Sequence, residues 1–293
     1  MNVAFLGLGN YGKAIASLIE YNGGTYDYAE ATEGRLLSSI ADILFITVPT
    51  QYVHQALEAN AAYVTPDTII VNCSKGIEEG SHRLVHQIVR DFGSFHNYMS
   101  LIGPSFAEGI QEKEPTVVSL GYKGDDIAAQ RIQSLIETDY FKVQPTQGYR
   151  ALELASALKN VYAITCGYAE GLGFGANTQT RIIMTALDEF RMLAKAMHFA
   201  SYDLTAPGVI GDLLLTCMSG QSRNYQYGLS LASDKIESID PAKVTVEGYY
   251  TSHSIKFITQ QKNVSLPLAT LTSDIIADKV SGRAAFVDYI AKI

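Results

Sequence analysis

The chain has 293 residues, 47% of them hydrophobic and 18% charged, with a formal net charge of -8. This composition can bury a core large enough for about two domains and argues against long disorder. The negative balance argues against a nucleic-acid or anionic-membrane surface, although local cations could still hold a phosphate ligand.

Cys73, Cys166 and Cys217 are odd in number, far apart and set in apolar surroundings. They form neither a CxxC pair nor a disulfide framework, which fits a reducing cytosol. The opening MNVAFLGLGN lacks a basic n-region and runs directly into a structural motif, so no signal peptide is expected. The longest apolar runs, such as residues 43–49 and 213–218, are far too short to cross a bilayer. A cytoplasmic protein without membrane insertion is the expectation.

In chain order, short β-branched or apolar runs predict strands at residues 2–6, 25–29, 43–48, 68–72, 98–102, 116–120 and 141–143. Helical patterns lie between them at 11–21, 35–40, 51–63, 82–91 and 126–137. Strands alternating with helices predict an α/β unit built on a doubly wound parallel sheet. After Tyr149 the pattern changes to long helical periodicity at 151–168 and 178–198, followed by shorter segments. The expected organisation is a Rossmann-like, cofactor-binding domain over residues 1–148 and an all-α domain over 149–293. Their boundary is expected within 144–149.

The first strand ends in Gly7-Leu8-Gly9-Asn10-Tyr11-Gly12, which opens a helix. Glycines there permit a tight turn, close approach of backbone to a pyrophosphate, and close helix–strand packing. The helix N-terminus offers its free N–H groups and its dipole to phosphate. An acid about 20 residues further on is expected to meet the adenosine ribose. Glu30 is nearest to that spacing, with Asp27 and Glu33 as rivals, while Arg35 could equally face a 2′-phosphate. NAD and NADP both remain open on this reading.

Two further segments carry polar groups where strands of such a sheet end, and ligands gather there. They are Asn72-Cys73-Ser74-Lys75-Gly76-Ile77-Glu78 and Gly103-Pro104-Ser105-Phe106-Ala107-Glu108. In the second half, Lys159 is the only formal charge between Leu154 and Ala169. It either snorkels to solvent or occupies a site where partners and desolvation tune it for proton transfer. Later, Ser222-Arg223-Asn224 combines a guanidinium suited to phosphate with two hydrogen-bonding neighbours.

The blocks GLGNYG, VPTQ, SKGIE, GPSFAE, ELASALKNVYAI, GLGFGAN, GDLLLTC, SRN and VEG follow one another along nearly the whole chain. In that order they resemble the NAD(P)-dependent sn-glycerol-3-phosphate dehydrogenases of the bacterial type, which reduce dihydroxyacetone phosphate. The resemblance implies NAD or NADP as cofactor and a small phosphate substrate, and it allows a homodimer. By the same resemblance, Lys159 would be the proton donor and base, and Asp212 would orient it. Lys75, Gly103, Ser105, Asn160, Thr216, Ser222, Arg223 and Asn224 would hold substrate. Gly7, Gly9, Asn10, Tyr11, Gly12, Glu30, Pro49, Lys75, Ala107, Arg223 and Glu247 would hold cofactor. The chain departs from the family pattern in a shortened stretch between the glycine turn and VPTQ. Tyr11 also stands where the family has tryptophan, and Ala155 and Ser156 stand where it usually includes glycine.

No metal site is expected. His82 and His86 are one helical turn apart, but they lack a third ligand and an HExxH context, so they read as a solvated helix face. His198 and His253 are isolated. GLGFGAN lies between helices rather than after a strand and reads as a helix–helix turn. Two other functions stay open: a related 3-hydroxyacid or 6-phosphogluconate-type dehydrogenase, and a nucleotide-binding sensor without turnover.

Overall fold

A computed structural model describes residues 1–199, 203–232, 239–241, 243–277 and 279–292. Its contacts divide the chain into two compact units. The first holds residues 1–75, 83–153 and 206–208, and the second holds 76–82, 154–205 and 209–293.

In the first unit the strands are β1 Val3–Leu6, β2 Tyr26–Ala29, β3 Ile43–Ile46, β4 Ile69–Asn72, β5 Tyr98–Ile102, β6 Thr116–Lys123 and β7 Phe141–Thr146. The helices are α1 Asn10–Tyr21, α2 Val53–Ala59, α3 Val85–Phe92, α4 Ala107–Gln111 and α5 Asp126–Ile136. All seven expected strands form one sheet in the order β2-β1-β3-β4-β5-β6-β7, parallel throughout except for the β5–β6 pair. Alternating side chains cover both faces, as a parallel sheet requires. Val3, Phe5, Ile43, Phe45 and Val71 join Ile15 and Ile19 of α1 and Ile132 of α5 on one face. Ala4, Leu6, Leu44, Ile46 and Ile70 join Val53 and Leu57 of α2 and Ile88 of α3 on the other. β2 and β3 flank β1 on opposite sides, so the order reverses beside the glycine turn, where ligands of such sheets bind.

Three helical expectations change. Residues 35–40 form no helix, because side chains take their amides: Asn60 Oδ1 accepts from Leu37 N–H at 2.9 Å and Asp27 from Ser38 N–H at 2.7 Å. The helix expected over 51–63 is broken into α2 and two flanking 3₁₀ turns, Thr50–Tyr52 and Ala61–Tyr63. Asn60 interrupts it with a side-chain amide that donates to Ala56 O. The helix expected at His82 starts only at Val85, since His82 has φ +57. The short α4 has no counterpart among the expected helices.

The second unit is helical. Its elements are α6 Tyr149–Gly171, which begins in the first unit, then α7 Ala176–Ala196, α8 Asp212–Met218, α9 Arg223–Ala232, α10 Glu247–Lys262, α11 Pro267–Ala277 and α12 Lys279–Lys292. Every residue from 151 to 169 is buried, so α6 is a central helix rather than an amphipathic one. α6 and α9 cross with backbones almost touching. A Cβ on Gly167 would collide with the Tyr225 carbonyl, and one on Gly228 with the Ile164 carbonyl. The GLGFGAN run makes the α6–α7 turn, with Gly173 at φ +88. Among the described residues, no helix is long and apolar enough to cross a membrane.

Candidate active site

The expected site residues fall into two groups, one in each unit. In the first unit the group forms around the glycine turn. Gly7 has φ +83, and a Cβ there would lie 2.6 Å from Val48 Cγ1. A Cβ on Gly12 would meet Gly7 O at 2.9 Å and Thr47 Oγ1 at 3.0 Å, so this glycine serves packing. Gly9 differs, because beyond its chain neighbours no atom lies within 4 Å of where a Cβ would stand, and the residue is exposed beside Asn10. That open space at the N-terminus of α1 is the cradle a pyrophosphate needs, so the turn fits a dinucleotide. Pro49 is half-buried just past β3 and immediately precedes the 3₁₀ turn Thr50–Tyr52.

The carboxyl ends of β1, β4 and β5 bring four of the expected residues together. Tyr11 Oη and Ser105 Oγ are 3.0 Å apart, and Ser105 Oγ donates to Gly103 O at 3.2 Å. Lys75 Nζ donates to Gly103 O at 3.4 Å and lies 5.7 Å from the Tyr11 ring centroid, within cation–π range. Gly103 is required for packing, since a Cβ would lie 2.6 Å from Val118 Cγ1. Ala107 opens α4 and packs on the core. Glu30 reaches back from the end of β2 to accept Leu8 N–H at 3.1 Å. Its rival Asp27 accepts from Ser38, Tyr28 and Arg35. Burial alone would raise the Asp27 pKa, but these donors hold it below the usual carboxylate value.

In the second unit Lys159 does not snorkel. It is 6% exposed, and Nζ donates to Asp212 Oδ1 at 2.6 Å and to Thr216 Oγ1 at 2.7 Å. Thr216 donates its only hydroxyl proton to Asp212 O at 2.6 Å, which turns its lone pairs toward the ammonium. Asp212 starts α8 directly after a π turn over Pro207–Gly211, a geometry common at functional sites. The next residue, Asn160, accepts from Asn224 Nδ2 at 3.0 Å, and Asn224 Oδ1 accepts from Gly248 N–H at 2.9 Å. This chain of amides joins α6, α9 and α10, and so places Arg223 and Glu247, the first residues of α9 and α10, next to it in sequence. Ser222 caps α9, with Oγ 3.3 Å from Tyr225 N, and Arg223 is exposed.

Sequence reasoning missed a buried carboxylate in the first unit. Glu153 accepts from His86 N–H at 3.0 Å, His86 Nδ1 at 2.8 Å, Ser100 Oγ at 2.7 Å, Asn72 Nδ2 at 3.3 Å and Tyr98 Oη. Desolvation would raise its pKa, but the charge and hydrogen bonds of His86, with help from Tyr98, bring it below the ordinary value. His86 therefore lies on no solvated face, its side chain being 12% exposed. Lying next to Leu154, Glu153 would have been found by asking of it the question asked of Lys159: what pairs a charge in an apolar helix. Likewise, Glu189 of α7 accepts from Leu268 and Ala269 N–H at the start of α11. No group of three His, Cys, Asp or Glu residues able to hold a metal occurs among the described residues. The three cysteines are free and buried, and burial pushes the Cys73 thiol up to about 12.

Residues 36–128 match the NAD-dependent glycerol-3-phosphate dehydrogenase N-terminus, and residues 149–286 match the corresponding C-terminus. The glycerol-3-phosphate dehydrogenase [NAD(P)+] of Desulfitobacterium hafniense is 32% identical over 247 residues, covering 84% of this chain and 70% of the relative. That of Staphylococcus epidermidis is 31% identical over 245 residues, covering 82% and 74%. The crystal structure of glycerol-3-phosphate dehydrogenase from Coxiella burnetii has the same fold, with a TM-score of 0.87 at 23% identity, covering 99% of this chain and 98% of that one. A ketopantoate reductase from Ralstonia eutropha shares the architecture more loosely, with a TM-score of 0.62 at 11% identity over 94% and 97% of the two chains. With the glycine turn in one unit, the buried lysine–aspartate pair in the other and relatives matched over most of the chain, this protein belongs to the NAD(P)-dependent glycerol-3-phosphate dehydrogenase family.

Proposed function

We propose that the chain reduces dihydroxyacetone phosphate to sn-glycerol 3-phosphate, reversibly, in the cytoplasm, and thereby supplies glycerophospholipid synthesis. The observation that carries this reading is the buried Lys159–Asp212–Thr216 group, found in a chain whose relatives are named for this chemistry. When bound, the nicotinamide supplies or accepts the hydride. Lys159, as an ammonium, holds a proton at Nζ for the ketone oxygen as negative charge develops there, and the free amine takes it back in the reverse direction. Asp212 fixes the direction of Nζ, and Thr216 holds it from the side. Because the Thr216 proton is already committed to Asp212 O, Thr216 can meet substrate only as an acceptor of a substrate hydroxyl.

Arg223 is the proposed phosphate anchor, since its exposed fork at the start of α9 can take two phosphate oxygens. Ser222 and Asn224 flank it, and Asn224 is held in place by Asn160 and Gly248. Binding the remote phosphate positions the carbon that reacts. In the first unit Lys75 and Ser105 are assigned to substrate, with Lys75 also at the nicotinamide end. A homodimer is the proposed assembly.

Steady-state kinetics of Arg223→Ala with dihydroxyacetone phosphate and with unphosphorylated dihydroxyacetone tests the assignment. A KM raised by about a hundredfold for the phosphate ester, with little change for the other ketone, is the expected result. An unchanged KM for the phosphate ester would remove Arg223 as the anchor.

A further inference from the structure

The segment expected at the adenosine end of the nucleotide site, β2 and the turn after it, lies before residue 36, where the match to the N-terminal family begins. Past β2 the backbone folds back on itself. Glu30 N–H donates to Arg35 O at 2.9 Å and Arg35 N–H to Glu30 O at 3.0 Å, around a 3₁₀ turn closed by Gly34 at φ +64. The turn fixes Glu30 at both carboxylate oxygens. Oε2 accepts from Leu8 N–H inside the glycine turn at 3.1 Å, and Oε1 accepts from the Thr32 hydroxyl at 3.1 Å.

Arg35 is the only lysine or arginine between Lys13 and Lys75, and its guanidinium is engaged elsewhere. Nε donates to Tyr28 O at 2.8 Å, Nη2 donates to Asp27 Oδ1 at 3.0 Å, and the guanidinium carbon lies 4.0 Å from the Tyr28 ring centroid. This stretch thus carries three carboxylates, Asp27, Glu30 and Glu33, against the single guanidinium of Arg35, which Asp27 already pairs. A carboxylate docked on the glycine turn can accept hydrogen bonds from a ribose diol, whereas a 2′-phosphate placed beside it meets like charge.

We propose that this chain selects NADH over NADPH, with Glu30 as the residue that reads the adenosine ribose. The proposal rests on the nucleotide-site reading above but is independent of the substrate's identity.

The chain has no tryptophan, so nucleotide fluorescence serves as the probe. NADH and NADPH are titrated separately into the protein without substrate, comparing the parent with Glu30→Gln and Arg35→Ala. NADH should bind the parent about tenfold or more tightly than NADPH. Glu30→Gln keeps an acceptor for Leu8 N–H and should narrow that ratio to a few-fold. Arg35→Ala should not weaken NADPH relative to NADH. Displacement of NADH from the parent by ADP and by 2′,5′-ADP makes the same comparison without any variant, and ADP should compete better. The proposal is overturned by NADPH binding as tightly as NADH, by an unchanged ratio in folded Glu30→Gln, by selective loss of NADPH in Arg35→Ala, or by binding of neither nucleotide. Selective NADH binding without turnover of dihydroxyacetone phosphate would count against the proposed substrate alone.

Discussion

Lys159 Nζ and Asp212 Oδ1 lie 2.6 Å apart with side chains only 7% and 2% exposed, an ion pair withdrawn from water. Such a pair offsets its desolvation only with good geometry and added hydrogen bonds, and Thr216 supplies one. Asp212→Ala would leave a buried ammonium without its carboxylate. The expected loss is about 3–5 kcal/mol of stability together with a large fall in turnover. Denaturant unfolding and kinetics of this variant check both, and wild-type stability would show that the pair is not what accommodates the charge.

Thr216 separates geometry from charge. Thr216→Ser keeps a hydroxyl that can accept from Lys159 and donate to Asp212 O, whereas Thr216→Val removes both bonds at nearly constant volume. Turnover should survive in the serine variant and fall by about tenfold or more in the valine variant. Equal rates in the two would mean that Thr216 does not position the lysine.

Two glycine replacements should fail in opposite ways. Gly9 has φ -68 and open space where a Cβ would go, so Gly9→Ala should fold with an unchanged melting temperature yet bind NADH poorly. Gly228→Ala drives a methyl into the Ile164 carbonyl and should cost about 1–3 kcal/mol or more through displacement of α9. Thermal melts paired with NADH titration distinguish them. Full NADH affinity in Gly9→Ala would contradict the cradle.

The buried Glu153 predicts an acid-sensitive stability contribution. Its folded-state pKa is lowered below the ordinary glutamate value of 4.5, so the carboxylate stabilises the fold above that pH. The contribution is lost as pH falls through the lower folded value. The stability gap between the parent and Glu153→Gln should therefore be widest near neutral pH and shrink as pH drops below about 4.5. Urea unfolding across that range measures it, and a gap that stays constant would rule out the linkage.

Much of this was legible in sequence because the signals were local. The strand–glycine–helix junction at Gly7 to Gly12, the strand periodicity and the isolated charge at Lys159 each depend on neighbours within a turn or two. What escaped depended on distant partners. Residues 35–40 look helical, yet Asp27 and Asn60 take the amides that a helix would use. His86 reads as exposed on spacing alone, because nothing in its own segment shows that Glu153 waits 67 residues away. The role of Thr216 toward Lys159 emerged only once α6 and α8 were packed together.

The most direct test of the central claim is loss of reduced-nicotinamide absorbance on mixing dihydroxyacetone phosphate with the protein, for the parent and for Lys159→Ala. Oxidation by the parent, abolished in a Lys159→Ala variant that still binds NADH, is the predicted result. Undiminished oxidation by Lys159→Ala, or none by a folded parent that binds nucleotide, would contradict it.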